Sequence, residues 1–395
     1  MASNIVYVAR DIERAMGTAP VGDYFIVTNN TPYAKEIKDK YPDNVFLINS
    51  TVLLDTHELL LNVEVVSIIE KLNAKILVFK NTLNIENICK EKSWTLLNPS
   101  AQLSEKIENK ITQVSWLADL SSLLPPHSIS LAKDIKWNSK VMILQWSHGH
   151  TGDGTLLIKG EEDLNILKKK FPDRDARITD FIKGPMFTVN IIVTDTNILL
   201  GNISYQITGI LPFTNNIFST IGNDWAVPFT SLSEKQISNI EDISLKIGKK
   251  MQNEKWRGLF GIDVIYDEER DLIYLIEINA RQPASTTYES ELQTNVRMHD
   301  VPGITVFEAH MSALLNNPII LPIIPINDGA QILQRVIDPS VSFDSTKLLE
   351  AGYKVITYNN KKPNLDLARI QSTRGIMETH TKFNKNGKQI IDLIV

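Results

Sequence analysis

The sequence predicts a multidomain protein that opens with an α/β unit and continues with mixed α+β units. Its 395 residues exceed what one ordinary hydrophobic core organises. Residues 1–102 alternate short apolar runs with helical patterns, whereas the later residues contain pairs of apolar runs joined by turns. Hydrophobic residues make up 43% of the chain and charged residues 22%, which is typical of a globular protein.

The first unit reads as a parallel sheet covered by helices. Strands separated by helical patterns favour this arrangement. No Gly-x-Gly-x-x-Gly follows any of its strands, so a dinucleotide site is not predicted. The predicted strands are 23–28, 45–48 and 74–79, and the predicted helices are 31–41 and 59–72.

Composition also excludes several classes of protein. The net charge of −5 offers no basic field for nucleic acid. Cys89 is the only cysteine, so neither an internal disulfide nor a zinc site is expected. The N-terminal residues lack the apolar stretch of a secretory signal, and no apolar run is long enough to cross a membrane. We therefore expect a cytoplasmic protein.

After residue 102 the predicted elements no longer alternate between single strands and helices. Residues 103–132 have a helical pattern, and the apolar runs 141–146 and 156–158 flank a turn-rich loop and predict a hairpin. Further strands are predicted at 178–182, 186–193 and 198–205, and a helix at 233–252 with Ser233 as its N-cap. Residues 329–395 return to short strands with turn signals such as Asn386-Gly387, which predicts a small β-rich closing domain.

A second hairpin, 258–264 with 272–278, carries unusual polar residues. Glu277 and Asn279 share one strand face because alternate side chains point the same way, and Asp263 stands on the partner strand. A carboxylate in an apolar strand is costly unless it is paired or binds a metal, and these oxygen ligands suit magnesium. Arg281 follows on the same face and could hold a phosphoryl or carboxylate group. The alternative is the solvated face of an edge hairpin.

These segments resemble a known family. Gly-Ile-Asp-Val-Ile followed by Ile-Glu-Ile-Asn-Ala-Arg is similar to the signature of the ATP-grasp superfamily of ligases. The resemblance implies ATP bound between two lobes. It also implies magnesium, or manganese in its place, held by Asp263, Glu277 and Asn279, and a contact between Arg281 and the transferred phosphate.

The fold implied is an ATP-grasp fold with additions at both ends. The resemblance implies a preceding α/β domain at 1–102, the grasp lobes at 103–322 with a hinge near 180–184, and a C-terminal β-rich domain at 323–395 like that of the biotin-carboxylase-like branch.

The nucleotide side of the resemblance rests on three pieces. Residues 147–155 resemble the glycine-rich loop over the triphosphate, residues 180–184 resemble the hinge whose backbone meets adenine, and a lysine precedes the first lobe. The plain alternatives are an ordinary turn, an edge strand ending at Gly-Pro, and a surface lysine. The residues implied to contact the nucleotide are Lys110, Gln145, Ser147, Gly152, Gly154, Thr155, Asp180, Phe181 and Ile182.

Two positions depart from the family pattern. Many members carry a lysine on the strand before the glycine-rich loop, where this chain has Gln145. Many also carry a ribose-binding glutamate two residues after the hinge glycine, where this chain has Met186. The metal ligands are therefore better supported than the nucleotide contacts.

The substrate side is less specific. The polar stretches 204–209 and 222–225 suggest a pocket lining or a structural excursion. Residues 282–291 suggest either a loop beside a carboxylate or the start of a helix. For Arg335 the alternatives are a cleft residue and a surface residue.

The family resemblance implies an ADP-forming carboxylate–amine ligase. Its partners would be a small-molecule carboxylate and an amine, and a homodimer through the first domain is possible. A carboxylase-type enzyme that activates bicarbonate is one alternative, although the chain has no Met-Lys biotin site. A nucleotide-binding protein without ligation activity is the other, suggested by Gln145 and Met186.

Overall fold

The N-terminal unit is a four-stranded parallel sheet. A computed structural model of the protein describes residues 4–147, 154–338, 340, 343–358 and 360–394. The strands lie in the order β3-β2-β1-β4 with helices on both faces, as the alternating pattern predicted. The strands are β1 (Ile5–Ala9), β2 (Tyr24–Asn29), β3 (Val45–Ile48) and β4 (Lys75–Val78), and the helices are α1 (Pro32–Lys40), α2 (Thr56–Leu61), α3 (Val63–Leu72) and α4 (Leu83–Glu91).

Helix α4 and two further features of this unit were not predicted. Strand β1 lies in the middle of the sheet with all five residues buried, although the sequence analysis assigned no strand there. The predicted helix 59–72 is two helices, because Asn62 has extended backbone and its side chain accepts the Glu64 N–H at 2.9 Å, capping α3.

A small antiparallel sheet follows, ordered β5-β8-β6-β7. The expected helix over 103–132 is wrong in its second half, where residues 127–131 pair with β8 as a strand. The hairpin of β6 and β7 is confirmed, and β8 ends at Asp180, short of the predicted 182. The elements are α5 (Ala101–Glu108), α6 (Thr112–Leu117), β5 (His127–Leu131), β6 (Met142–Trp146), β7 (Thr155–Ile158), α7 (Glu161–Lys170) and β8 (Asp175–Asp180).

A nine-stranded sheet forms the centre of the molecule. Its path is β14-β13-β9-β11-β12-β15-β17-β16, and β10 pairs with β9. The elements between residues 186 and 314 are β9 (Met186–Val193), β10 (Ile198–Leu200), β11 (Ser204–Thr208), β12 (Thr220–Asp224), α8 (Val227–Ser231), α9 (Glu234–Asn253), β13 (Gly258–Asp267), β14 (Leu272–Asn279), α10 (Thr286–Arg297) and α11 (Val306–Leu314).

Several predictions for this region are corrected or confirmed. The predicted strand 198–205 is two strands, β10 and β11. Residues 222–224, for which no strand was predicted, belong to strand β12. Residues 286–291 begin helix α10, so the helical alternative for 282–291 is the correct one. The hairpin of β13 and β14 and the capped helix α9 are confirmed, with the Ser233 side chain accepting the Gln236 N–H.

The closing segment joins the same large sheet. Strands β15 and β17 continue it from β12, so the sheet passes from the central region into the C-terminal residues without a break. Asn386-Gly387, predicted as a turn, lies in the first turn of a helix. The elements are β15 (Ala330–Arg335), α12 (Thr346–Glu350), β16 (Lys354–Thr357), β17 (Asp366–Ser372), β18 (Met377–Thr379), β19 (Lys382–Phe383) and α13 (Lys385–Ile394).

Among the helices that the structure describes, none combines the length and the apolar character that crossing a membrane requires.

Asp224 ties the closing segment to the large sheet. It is fully buried, and its Oδ1 accepts the N–H of Ala226 at 2.8 Å while its Oδ2 accepts those of Ile376 and Met377 at 2.7 and 2.9 Å. We expect Asp224→Ala to lower the free energy of unfolding by about 3 kcal/mol or more, because buried N–H groups would lose their acceptor. Urea titration measures this change. Asp242→Ala, at an exposed position of α9, is the control and should cost less than about 0.5 kcal/mol.

Glu289 of α10 gives the protein a predicted pH dependence. Burial raises the pKa of Glu289 to about 7, although Asn190 Nδ2 and the Asn202 N–H donate to it at 2.5 and 2.7 Å. Because the pKa of Glu289 is higher in the folded state than in the unfolded state, protonation of Glu289 stabilises the folded state at low pH. This contribution to the free energy of unfolding is lost as pH rises from about 4.5 to about 7.

The comparison protein is Glu289→Gln, which cannot titrate there. We expect the stability of the wild type relative to this variant to fall by about 2–3 kcal/mol between pH 5 and pH 8. Urea titrations of both proteins at each pH measure the difference. A difference that stays constant would contradict a raised pKa.

Candidate functional site

The second hairpin places two carboxylates side by side. Asp263 on β13 is directly opposite Glu277 on β14, and on its other side it is opposite Thr188 on β9. Directly paired residues of antiparallel strands project to the same face. The predicted common face of Asp263, Glu277 and Asn279 is therefore present, and Ile278 lies fully buried on the other side of the sheet.

Asp263 is held by two neutral groups. Its side chain is 5% exposed; Oδ1 accepts the Thr188 hydroxyl at 2.7 Å, and Oδ2 accepts Asn279 Nδ2 at 3.1 Å. Burial, with a contribution from Glu277, raises the pKa of Asp263 to about 6. A bound cation would reverse this effect by favouring the ionised carboxylate.

Glu277 forms an ion pair with Lys110, whose Nζ lies 2.7 Å from Oε1. Burial acts to raise the pKa of Glu277, but Lys110, Arg281 and Arg177 together outweigh it and lower the pKa. Burial lowers the pKa of Lys110, and Glu277 partly offsets this. Lys110 lies in the turn after α5, and its N–H donates to the Ser147 carbonyl at 3.0 Å, so it connects the hairpin of β6 and β7 to the metal-candidate residues.

Arg281 contacts the same cluster from the end of β14. It donates to Asn279 Oδ1 at 2.9 Å and forms an ion pair with Glu108 of α5. Glu108 also accepts Lys80 Nζ at 2.5 Å. Arg281 is thus brought to the predicted ligands, but its guanidinium is engaged by a carboxylate that the sequence analysis did not identify.

Arg177 is a further residue that the sequence analysis missed. It is 1% exposed, and its Cα is the direct pairing partner of Gln145 across β8 and β6. A charged residue between the apolar Ala176 and Ile178 is the same signal that singled out Asp263. Its neighbour Gln145 is known only from the strand register, and the local sequence does not determine the register of two strands that are not consecutive in the chain.

The structure describes part of the hairpin predicted to cover phosphate. Gln145 Nε2 donates to Thr155 Oγ1 at 3.4 Å, and Gly154 accepts the Trp146 N–H at 3.0 Å, which closes the strand pair. The Ser147 carbonyl accepts from Lys110. Gly152 lies outside the described residues, so its role stays a prediction.

The predicted hinge lies just beyond β8. Asp180 ends that strand, the Phe181 ring is 42% exposed, and Ile182 is buried. The Phe181 N–H donates to the Val141 carbonyl at a long 3.4 Å, so contact with adenine through this N–H would replace a weak bond. Their contacts with a nucleotide stay a prediction.

The donor set fits a hard divalent cation with an incomplete protein shell. The described residues contain no cluster of three or more His, Cys, Asp and Glu side chains, and the set here is two carboxylates and the Asn279 amide. Magnesium is commonly held by one or two carboxylates together with substrate phosphates and water. Lys110 is paired with only one of the two carboxylate oxygens of Glu277, Oε1, and its ammonium group places a positive charge beside the proposed metal ligands.

The sheet face continues from these residues as a polar surface. Gln206, Asn223, Gln331 and Gln371 are direct partners across β11, β12, β15 and β17, and all four are buried. Arg369 NH1 donates to Gln331 at 3.0 Å. Within the described part of the chain, Gln206 Oε1, Gln371 Oε1 and Arg369 NH2 have no hydrogen-bond partner, so these groups could bind a polar ligand.

Arg335 is not a surface residue, and its cleft role stays a prediction. It is buried and forms an ion pair with Asp366 of β17.

Part of the chain matches a known protein family, and a shorter part matches a curated relative. Residues 107–285 match the family model described as the ATP-grasp domain. A curated relative, the "[Butirosin acyl-carrier protein]--L-glutamate ligase" of Niallia circulans, is 26% identical over 145 residues, which are 35% of this chain and 32% of that protein. The chain thus matches about a third of this relative's length.

Solved structures share the fold over nearly the whole chain. N5-carboxyaminoimidazole synthase from Aspergillus clavatus, in complex with ADP and an aminoimidazole ribonucleotide, has a TM-score of 0.68 at 17% identity and covers 99% of each chain. The Staphylococcus aureus N5-carboxyaminoimidazole synthetase complexed with ADP has a TM-score of 0.66 at 12% identity, covering 99% of this chain and 96% of that one.

A third similar structure is the biotin carboxylase domain of the Hydrogenobacter thermophilus 2-oxoglutarate carboxylase. Its TM-score is 0.65 at 14% identity, and the match covers 95% of this chain and 87% of that one. The predicted fold class, with units preceding and following the grasp lobes, is confirmed by these matches. Residues 107–285 therefore match an ATP-grasp domain, and the whole chain shares its fold with these solved structures.

Proposed function

We propose that the protein is an ADP-forming ligase that activates a substrate carboxylate with ATP and joins it to an amine. The observation that carries this proposal is the direct pairing of Asp263 with Glu277, surrounded by Lys110, Arg177 and Arg281. With Glu108, which pairs with Arg281, and Lys80, which pairs with Glu108, the cluster has four cationic side chains and three carboxylates. It is therefore locally positive in a chain of net charge −5, as a site for a polyphosphate requires.

Asp263, Glu277 and Asn279 are the proposed ligands of magnesium or manganese. A bound ion would supply neutralisation of the phosphate charges. Lys110, released from Glu277, would then be free to donate to a phosphate oxygen. Thr188 holds Asp263 in place through its 2.7 Å hydrogen bond and thereby orients the carboxylate.

Arg281 is the proposed catalytic residue. The carboxylate oxygen of the substrate would attack the terminal phosphorus of ATP, breaking its bond to the bridging oxygen and forming an acyl phosphate and ADP. The amine nitrogen would then attack the acyl carbon, and phosphate and a proton would leave. The guanidinium of Arg281 would hold the transferred phosphoryl group, while its contact with Asn279 keeps it beside the metal ligands.

The nucleotide would occupy the space between the small sheet and the large sheet. Ser147, Gly152, Gly154 and Thr155 are proposed to lie over its phosphates, and Asp180, Phe181 and Ile182 beside its adenine. Gln145 is supported as a phosphate contact by its position on β6 directly opposite Arg177.

The substrates are proposed to be small molecules bound over the polar sheet face. The curated relative is named as a ligase that acts on L-glutamate and an acyl-carrier protein. The unpartnered polar atoms of Gln206, Gln371 and Arg369 support an acid or amine that carries additional hydrogen-bonding groups. A screen of ADP release over amino acids and other carboxylates, each with and without an amine, tests this proposal.

The alternatives give different results in that screen. Stimulation of ATP turnover by bicarbonate alone would favour the carboxylase-type enzyme. Tight binding of magnesium–ATP in calorimetry, without turnover on any acid, would favour a nucleotide-binding protein without ligation activity.

Glu277→Gln tests the metal site. We expect substrate-dependent ADP release to fall by at least about 100-fold, because the variant loses a metal ligand charge at the phosphates. Steady-state ADP release measures the change. Glu269→Gln, on the exposed turn of the same hairpin, is the matched control and should change the rate less than about twofold. Unchanged turnover in Glu277→Gln would refute the mechanism.

A cytoplasmic setting and a homodimer complete the proposal. The exposed apolar side chains Val52, Leu61 and Val63 of the first unit support association through that unit. We expect Val63→Asp to shift the sedimentation coefficient from that of a dimer to that of a monomer. A wild type that sediments as a monomer at micromolar concentration would contradict the dimer.

A further inference from the structure

Gln145 stands where many ATP-grasp proteins have a lysine, and the neighbouring strand carries Arg177 directly beside it. Gln145 of β6 and Arg177 of β8 are direct partners, so their side chains lie on the same face of the small sheet. ATP-grasp proteins often carry a lysine at the position of Gln145. Here a neutral residue occupies that position and a cation occupies the position beside it.

Arg177 is a buried cation whose hydrogen-bond acceptors are neutral. Its side chain donates to Gln145 Oε1 from Nε at 3.1 Å and from NH2 at 2.7 Å, to Gln113 Oε1 at 3.0 Å, and to the Ile276 carbonyl at 3.1 Å. These bonds use four of its five N–H groups. Burial lowers its pKa to about 10. A buried charge without an anionic partner is costly, and an incoming anion relieves that cost.

Glu277, the carboxylate that acts on Arg177, is already paired with another cation. Glu277 is the acid that acts on the pKa of Arg177, yet Glu277 is paired with Lys110 at 2.7 Å. In the proposed enzyme Glu277 is also a metal ligand. The positive charge of Arg177 is therefore not fully compensated by Glu277, and a bound anion would compensate it.

The two contacts from Arg177 also orient Gln145. Because the guanidinium occupies the amide oxygen, Nε2 is turned away from Arg177 and donates to Thr155 Oγ1 across the hairpin. The amide thus presents its N–H donors toward the strand that leaves the glycine-rich segment. A cation that hydrogen-bonds the oxygen of an amide also strengthens its N–H groups as donors.

We propose that Arg177 and Gln145 act as one unit that binds the phosphates of the nucleotide, with Gln145 donating the hydrogen bond and Arg177 supplying the charge from the adjacent strand. The inference rests on the proposed function, since it requires a nucleotide polyphosphate in this cleft. Arg177 is a positioning residue here, because it acts through Gln145. The unit takes the place of the lysine found at this point in many relatives.

The test is a relocation of the charge. We expect Arg177→Gln to raise the Kd for magnesium–ATP at least about tenfold in calorimetry, and the double variant Gln145→Lys with Arg177→Gln to recover most of that loss. Gln145→Leu, which leaves the charge in place but removes the donor, should weaken ATP binding comparably. Adenosine, which has no phosphates, should bind all these proteins with Kd values within about twofold of the wild type.

Arg174→Gln is the matched control. Arg174 is an exposed arginine that lies over the Trp146 ring, 4.5 Å from its centroid, close to the same hairpin. Removing its charge should change the Kd for ATP less than about twofold. Melting temperatures of all variants are measured alongside, and Gln145→Leu keeps the test open if Arg177→Gln does not fold.

The outcomes separate the possibilities. If Arg177→Gln melts earlier but binds ATP like the wild type, Arg177 has only a structural role and the inference is wrong. If Gln145→Lys with Arg177→Gln binds ATP no better than Arg177→Gln, the charge has not been relocated between the strands. A wild type that does not bind ATP at all would overturn the proposed function together with this inference, whereas the other two results overturn this inference alone.

Discussion

The site depends on one constraint, the pairing of Asp263 with Glu277 across β13 and β14. Asp263 is buried and lies directly opposite the partly exposed Glu277, so the two carboxylates repel one another. Burial first, and this repulsion second, raise the pKa of Asp263. Cationic side chains surround this pair. Lys110 forms an ion pair with Glu277, and Arg281 donates to the Asn279 amide, which in turn donates to Asp263. A divalent cation would satisfy both carboxylates together.

The large sheet explains how distant parts of the chain serve one site. Strand β9 supplies Thr188 to the metal-candidate residues, while β15 and β17 extend the same sheet into the C-terminal segment. The polar face is therefore continuous from Asp263 to Arg369. The C-terminal segment contributes to the surface of the proposed substrate site through the strand ladder itself, and Asp224 fastens its end to the sheet.

The sequence predicted best what depends on local pattern. Alternation along β14 was enough to place Glu277 and Asn279 on one face. The position of Asp263 opposite Glu277 depends on an irregularity in the ladder between Asp263 and Val264, because the register nearer the turn would pair Asp263 with Ile276. Strand β12 was missed because its Gly222 and Asn223 are poor strand formers, and pairing with β11 and β15 overrides that preference. Partners from distant segments were also beyond local pattern: the contacts of Arg177 with Gln145 and of Glu108 with Arg281 follow from tertiary packing.

Glu108 connects three separate stretches of chain, since it forms ion pairs with Lys80, which follows β4 of the first unit, and with Arg281, which follows β14. The position of the Arg281 guanidinium therefore depends, through Glu108, on the position of Lys80 in the first unit. Any shift of that unit that withdraws Lys80 would leave Glu108 to Arg281 alone and strengthen the hold on it. The first unit would in this way change how freely Arg281 can move toward a phosphoryl group, without contacting a reacting atom.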